Sequence, residues 1–222
     1  MNTNKNFLHI KRICVIAMFC ALAFVLTYIK LPVSFLSLEI KDSVIVLCTL
    51  IFGPLAGLPI AILVPLLELI THSTTGVYGL IMNMLSSVTF SLVTGVIYKY
   101  KKSFYGAIVA LISGVFAVTA VMVMANLLVT PYYMGVPIQE VAALIPKMLL
   151  PFNLIKATLN GAVVLLLYKP LSRILKKAGL IESKGTVPSE GKTSSTRSIV
   201  VTVIALGMIA ISFAVIFFVL KK

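Results

Sequence analysis

The sequence predicts an all-α integral membrane protein, and three observations lead to this fold class. Hydrophobic residues make up 60% of the 222 residues, and charged residues make up only 11%. A soluble domain of ordinary composition carries about 25% charged residues. Six apolar segments also approach or exceed the length of about 20 residues that a helix needs to cross a bilayer. The chain therefore has room for six or seven membrane helices joined by short loops.

The apolar segments follow one another along the whole chain. Their approximate ranges are 12–30, 43–70, 77–98, 104–129, 150–168 and 198–220. The first resembles a signal peptide, but it runs to Ile29, beyond the usual apolar core of such a peptide, so we expect a retained helix. The second contains Phe52-Gly-Pro54 and is either one kinked span or two short spans, because proline disfavours helical backbone in the residue before it.

The distribution of lysine and arginine decides between these two readings. The net charge of +13 would suggest a nucleic-acid partner in a soluble protein. Here, with a cytoplasmic N-terminus and a break at Phe52-Gly-Pro54, thirteen of the nineteen cations lie on the cytoplasmic side, as the positive-inside rule requires. A single kinked span would place the later cations on the wrong side. We therefore predict seven helices, with the C-terminus outside and no role in nucleic-acid binding.

The chain divides into three parts by composition. Residues 1–178 form a predicted six-helix membrane core. Residues 179–197 are polar and have the composition of a flexible cytoplasmic linker. Residues 198–222 contain an additional C-terminal transmembrane helix without ionisable residues between positions 198 and 220. We expect this last helix to act as an anchor or a partner contact.

The sixth apolar segment carries an amide and a cation that lipid would not tolerate. Asn153, Lys156 and Asn160 are three and four residues apart, which places them on one face of a helix. An intramembrane lysine normally faces a bundle interior or a watery cavity, so it indicates a functional site. The alternative is a lysine near the helix end whose ammonium reaches the membrane interface.

Other polar residues are predicted at the same membrane depth, on the outer side. They are Glu39, Lys41, Asp42, Glu68, His72, Asn83, Ser86, Ser87 and Asn126. Together they predict a hydrophilic cavity open to the outside. Amides and hydroxyls suit a neutral, hydrogen-bonding solute. The neighbouring aromatic residues Phe35, Phe152, Tyr132 and Tyr133 can stack on a flat ring.

A catalytic role is the alternative from another functional class. Glu68 and His72 stand at i and i+4, so a small intramembrane enzyme could use them, but a metal site would need a further ligand. Gly185 to Thr193 resembles a Walker A loop, yet it has five residues between its glycines where the motif has four. We expect no metal and no catalytic residue, and any ATP hydrolysis would need another chain.

Several short segments occur in an order that matches a known family. They are Ala17-x-x-x-Ala21, Leu38-Glu-Ile-Lys-Asp-Ser43, Phe52-Gly-Pro54, Ser73-Thr-Thr-Gly76 with Asn83, Asn126 before Thr130-Pro131, and Pro151-Phe-Asn-Leu-Ile-Lys156. With these segments the chain resembles the riboflavin-specific substrate-binding (S) components of energy-coupling-factor (ECF) vitamin transporters. The resemblance covers about residues 8–178, and the additional C-terminal helix departs from the family pattern.

The resemblance implies a six-helix membrane subunit that captures riboflavin from outside. Import would be driven by two cytoplasmic ATPase subunits through a membrane coupling subunit. Riboflavin would be the transported ligand, and no cofactor is implied. An S component for another vitamin remains an alternative.

The resemblance also implies roles for individual residues. The implied substrate-binding residues are Leu38, Lys41, Asp42, Asn83, Asn126, Asn153 and Lys156, of which the first three belong to a loop that covers the ligand. The face of the first helix with Ala17 and Ala21 would dock on the coupling subunit.

Overall fold

A computed structural model describes residues 3–180 and Gly207, with side chains from residue 10 onward. Almost all of the predicted linker (179–197) and of the predicted last helix (198–220) lies outside the described residues. Seven α-helices and one short hairpin are described. They are α1 (Thr3–Leu26), β1 (Leu31–Val33), β2 (Leu36–Leu38), α2 (Lys41–Phe52), α3 (Pro54–Thr71), α4 (Gly76–Tyr100), α5 (Phe104–Met134), α6 (Ile138–Leu144) and α7 (Leu150–Lys177). A π-helical turn, Ile145–Leu149, joins α6 to α7.

Long apolar helices make this a membrane protein. Four helical stretches of the described chain are long and apolar enough to cross a bilayer, and they comprise α3, α4, α5 and the continuous run from α6 to α7. Helix α2 has only 12 residues. At 1.5 Å per residue it extends about 18 Å, less than the roughly 30 Å hydrocarbon core. The prediction of seven crossings therefore stays a prediction.

The predicted break at Phe52-Gly-Pro54 is present. Helix α2 ends at Phe52 and α3 begins at Pro54. Between them Gly53 has φ +94°, a backbone conformation that L side chains rarely adopt. Nothing lies within 4 Å of a Cβ built at this glycine, so the backbone conformation, and not lack of space, requires glycine here.

The described chain is almost entirely helical as predicted, and one short hairpin that was not predicted follows α1. Strands β1 and β2 pair in antiparallel fashion, with Leu31 opposite Leu38. Val33 and Leu38 are buried, and they form a small second core with Phe152 and Leu159 of α7. Each strand has three residues, which is too short for an alternating pattern to be recognised in the sequence. The hairpin nevertheless matters, because it lies over one end of the bundle.

Two helix boundaries also differ from the predicted spans. Helix α5 continues past residue 129 to Met134, with Pro131 inside its last turns. Proline has no N–H, so the carbonyl oxygen of Leu127 lacks its helical hydrogen bond, but the helix continues past this position. Helix α7 begins at Leu150 as predicted but continues past residue 168 to Lys177, and the helical backbone of α6 and the π-helical turn precedes it from Ile138.

Helices α4 and α5 pack closely against each other at Gly114. A Cβ built at Gly114 of α5 would lie 2.4 Å from Thr94 Oγ1 and 2.8 Å from the Phe90 ring of α4. A side chain at position 114 would therefore force the helices apart. Small residues serve this purpose in membrane helices, where backbones must approach closely.

Candidate ligand pocket at one end of the bundle

A cavity of about 390 Å³ opens at one end of the helix bundle. The elements that line it are the hairpin, the end of α3, the start of α4, the end of α5 and the start of α7. Known small-molecule sites have volumes of about 300 to 1,000 Å³. Four of the predicted site residues, Asn83, Asn126, Asn153 and Lys156, line this cavity. The structure thus brings together residues that are up to 73 positions apart in the sequence.

The backbone of their own helices orients two of the cavity amides. Asn126 donates from Nδ2 to the carbonyl oxygen of Met122 (2.7 Å) and accepts at Oδ1 from Thr130 Oγ1 (2.9 Å). Asn153 donates from Nδ2 to the carbonyl oxygen of Leu149 (2.7 Å). Within residues 10–180, the Oδ1 atom of Asn153 accepts no hydrogen bond. Its acceptor capacity is therefore available to a ligand.

Lys156 is the cavity cation without a direct contact to a carboxylate of the described residues, although its charge acts on Glu39. In the described part of the chain its ammonium forms no ion pair and no hydrogen bond, and in particular none with Asp42. Its side chain lines both the large cavity and a small adjoining pocket beside Asp42 and Asn160. An ammonium in such a position has hydrogen-bonding capacity to offer to a ligand.

The other lysines at this end are held in a charge network next to the cavity. Lys41 pairs with Glu39 and lies 3.8 Å from Glu68, while Lys30 pairs with Glu68 and lies 3.5 Å from Glu39. Asn83 adds a hydrogen bond from Nδ2 to Glu68 Oε2 (3.1 Å). Two cations and two anions balance here. The network ties the hairpin and the start of α2 to α3 and α4.

The charges in this network change the titration of Glu39. Burial alone would raise the pKa of its carboxyl group, but Lys41, Lys156 and Lys30 outweigh burial and hold the pKa below its usual range. A carboxyl group with a lowered pKa in the folded state stabilises the fold above its ordinary pKa. That contribution is lost only as the pH falls through the lowered value. Glu39 therefore stays ionised at neutral and mildly acidic pH.

Three of the predicted ligand contacts lie elsewhere. Lys41 is fully buried in the charge network, with 0% exposure, and Leu38 is buried beneath the hairpin. Asp42 accepts hydrogen bonds from Ser87 (2.5 Å) and Ser86 (3.5 Å) of α4. None of the three lines the large cavity. Lys41 points inward because a buried cation needs carboxylate partners, which the sequence pattern does not locate.

The hairpin supplies cavity residues that the sequence did not single out. The residues of the hairpin that lie at the cavity wall are Pro32, Ser34, Phe35, Leu36 and Ser37. Only Phe35 was predicted there. The available signal was the position of this segment, directly before the charged residues that anchor it.

Aromatic rings make up much of the remaining wall. Phe35, Phe152 and Tyr133 line the cavity as predicted, whereas Tyr132 is 78% exposed and does not. Tyr78 of α4 also lines it, with its ring centroid 5.9 Å from that of Tyr133. Tyr78 was missed, although it lies about one turn before Asn83 on the same helix. Rings and amides thus share one cavity.

Glu68 and His72 do not form a joint site. Glu68 points to Lys30 and Asn83, whereas the His72 ring stacks on Tyr28 with centroids 4.1 Å apart. Helix α3 ends at Thr71, so His72 leaves the face that the i, i+4 spacing assumes. Among the described residues, no group of three histidine, cysteine or acidic side chains is placed to hold a metal ion.

Helix α1 exposes the two alanines of its Ala17-x-x-x-Ala21 pattern. Ala17 and Ala21 are exposed, while Val15, Phe19 and Ala23 of the same helix are buried against the bundle. The small-residue pattern is therefore not used for packing within the described chain. It leaves a shallow strip on the outer surface of α1.

Comparison with known proteins places this architecture in a family. Residues 11–168 match the family model of the ECF transporter substrate-specific component. "Riboflavin transporter RibU" from Staphylococcus aureus (strain TCH60) is 34% identical over 187 residues, which are 80% of this chain and 96% of that protein. "Riboflavin transporter FmnP" from Bacillus subtilis (strain 168) is 30% identical over 172 residues, which are 72% and 90% of the two chains.

A solved structure shares the fold as well. It is described as the S component of a bacterial ECF transporter, and it is 34% identical in sequence with a TM-score of 0.66. The match covers 76% of this chain and 99% of that chain. The family model, the two relatives and this structure agree, and the chain belongs to the family of substrate-specific (S) components of ECF transporters.

Proposed function

We propose that this chain is a riboflavin-binding S component, which captures the vitamin for uptake by an ECF transporter. The observation that carries the proposal is the cavity at one end of the bundle. It combines oriented amides, an unpaired ammonium and aromatic rings inside a membrane protein. The names of the two relatives, both riboflavin transporters, support the choice of ligand.

The chemistry of riboflavin fits these groups. Its flat ring system matches the aromatic side chains Phe35, Tyr78 and Phe152, and aromatic pairs gain about 0.5 to 1.5 kcal/mol beyond their buried area. Its hydroxyl chain and ring carbonyls need donors and acceptors, which Asn153 and Lys156 offer. Riboflavin carries no phosphate, in agreement with a cavity that has one unpaired lysine and not an arginine fork.

Three further predicted residues, which do not line the cavity, have an indirect role in this proposal. Lys41 fixes the start of α2, and Asp42 ties α2 to α4 through Ser87. Leu38 anchors the hairpin on α7 through the small second core. These residues would hold the covering segment in place without touching the ligand themselves.

The partners follow from the family. Uptake would require a membrane coupling subunit and two cytoplasmic ATPase subunits, with the Ala17 and Ala21 strip of α1 as the docking face. Ligand would enter from outside, which places the N-terminus in the cytoplasm. The segment 179–197 would then be a cytoplasmic linker, and 198–222 an additional membrane helix that ends outside.

Titration of the purified protein with riboflavin tests the proposal. Riboflavin is fluorescent, and stacking on aromatic rings should quench it, so we expect saturable quenching with one ligand per chain. Thiamine and biotin should fail to displace the ligand, and no product should form on prolonged incubation. Displacement by another vitamin would instead assign the cavity to that vitamin. Turnover that depends on Glu68 and His72 would favour the enzymatic alternative.

A further inference from the structure

A surface rich in lysine forms at the end of the bundle opposite the cavity. It consists of the last turn of α4, the turn into α5 and the last turns of α7. We call this surface the basic end, and its lysines are Lys99, Lys101, Lys102, Lys169, Lys176 and Lys177.

Buried contacts hold the two groups of lysines side by side. Tyr98 of α4 and Tyr168 of α7 are buried, and their hydroxyl oxygens lie 2.5 Å apart in a hydrogen bond. Each tyrosine directly precedes one of the lysines, Lys99 or Lys169. The Lys169 ammonium also lies 4.6 Å from the ring centroid of Phe104, at the start of α5. The basic end is therefore a fixed surface built from three helices.

The described chain does not neutralise this surface. Its acidic residues between positions 10 and 180 are Glu39, Asp42, Glu68 and Glu140, and all four belong to segments at the cavity end. The ion pairs that Lys30 and Lys41 form with Glu39 and Glu68 also lie at that end. Several lysines gathered without carboxylates repel one another, and this repulsion favours an anionic partner.

Exposed tyrosines indicate where that partner lies. Tyr100 is 86% exposed and Tyr105 is 67% exposed, one on each side of Lys101 and Lys102. The Lys101 ammonium lies 5.8 Å from the Tyr105 ring centroid. Tyrosines at the ends of membrane helices mark the level of the lipid head groups. The lysines between them are thus at the depth of lipid phosphates.

We propose that the basic end binds the head groups of anionic phospholipids. Clusters of four to eight lysines and arginines beside membrane helices bind anionic lipids, each cation contributing about 1 kcal/mol, or about fivefold in affinity. The proposal does not depend on the identity of the vitamin. Lipid bound here would contact α4, α5 and α7, the helices that also form much of the cavity.

A single tryptophan can report on the lipid beside this surface, because the chain contains no tryptophan. The Tyr105→Trp variant would be reconstituted into vesicles of phosphatidylcholine with increasing fractions of brominated phosphatidylglycerol, and in parallel with brominated phosphatidylcholine. Bromine quenches tryptophan by contact. We expect quenching to show at least a fivefold preference for phosphatidylglycerol over phosphatidylcholine.

Two variants serve as matched controls. Replacing Lys99, Lys101 and Lys102 with glutamine in the Tyr105→Trp protein should remove most of the preference. A Tyr132→Trp protein carries the reporter on an exposed site at the cavity end, and it should show little preference. Riboflavin binding and size exclusion would verify that each variant is folded.

Several results would overturn the proposal. Equal quenching by both lipids in the Tyr105→Trp protein would show that the basic end does not select anionic lipid. A preference that the three glutamine substitutions leave undiminished would show that these lysines do not cause it. If inorganic phosphate at constant ionic strength abolished the preference, the surface would be a site for free phosphate.

Discussion

Replacing Lys156 with methionine tests the role assigned to the unpaired cation of the cavity. Methionine keeps most of the length of the side chain and removes the ammonium. The structure shows no ion pair for Lys156 within the described residues, so the free protein loses no direct contact and only the longer-range attraction to Glu39. The variant should therefore remain folded with at most a small loss of stability, and the main change should appear in ligand affinity.

The structure sets the expected size of this change. A hydrogen bond from a charged group contributes about 1.5 to 3 kcal/mol. Because the Lys156 side chain is only partly buried, we expect the lower part of this range, a loss of about tenfold to thirtyfold in affinity. Lys147 is exposed, is absent from the cavity wall and lies nine residues earlier in the chain. Lys147→Met is the matched control and should bind riboflavin with unchanged affinity.

Fluorescence quenching of riboflavin by the purified proteins measures both affinities. Thermal unfolding followed by circular dichroism shows whether either variant is destabilised. An unchanged dissociation constant for a folded Lys156→Met protein would refute the reasoning, because the ammonium would then make no contact with ligand. An equal loss in Lys147→Met would point to a general electrostatic effect of positive charge at this end.

Three further predictions concern the charge network, the second amide and α1. Lys41→Met should lower the free energy of unfolding by about 3 to 5 kcal/mol, since it leaves buried carboxylates unpaired. The same change at the partly exposed Lys30 should lower it by less. Equal melting temperatures for the Lys41 variant and the parent protein would contradict this prediction. Asn153→Ala should weaken riboflavin binding about tenfold, or about 1.4 kcal/mol, as measured by the same titration, and full-strength binding would remove Asn153 from the site. Ala17→Leu and Ala21→Leu should leave binding by the purified subunit unchanged and abolish vitamin uptake in cells that contain the partner subunits, so normal uptake would exclude this face as the docking surface.

Much of the bundle could be predicted because bilayers impose long apolar helices. The break at Gly53 followed from glycine and proline together with the distribution of lysines, and the structure contains it. The hairpin was missed because two strands of three residues leave no periodic pattern. The start of α7 at Leu150 was predicted, whereas α6 and the π-helical turn before it were not.

Regular helical spacing let the sequence group Asn126, Asn153 and Lys156, and all three line one cavity. Their contact with a ligand stays a prediction. Lys41 does not line the cavity, because its ammonium pairs with Glu39 and lies near a carboxylate from α3. Such a contact between distant segments forms because a buried charge without a partner destabilises the fold, and no local sequence pattern shows it.

An absorption spectrum of the detergent-purified protein tests the central claim most directly. We expect the near-ultraviolet and visible bands of riboflavin, at a ratio near one flavin per chain that persists through size exclusion and falls in the Lys156→Met protein. A colourless protein that also leaves the fluorescence of added riboflavin unchanged would contradict the account. The membrane fold and the family would stand in that case, but the cavity would belong to another solute.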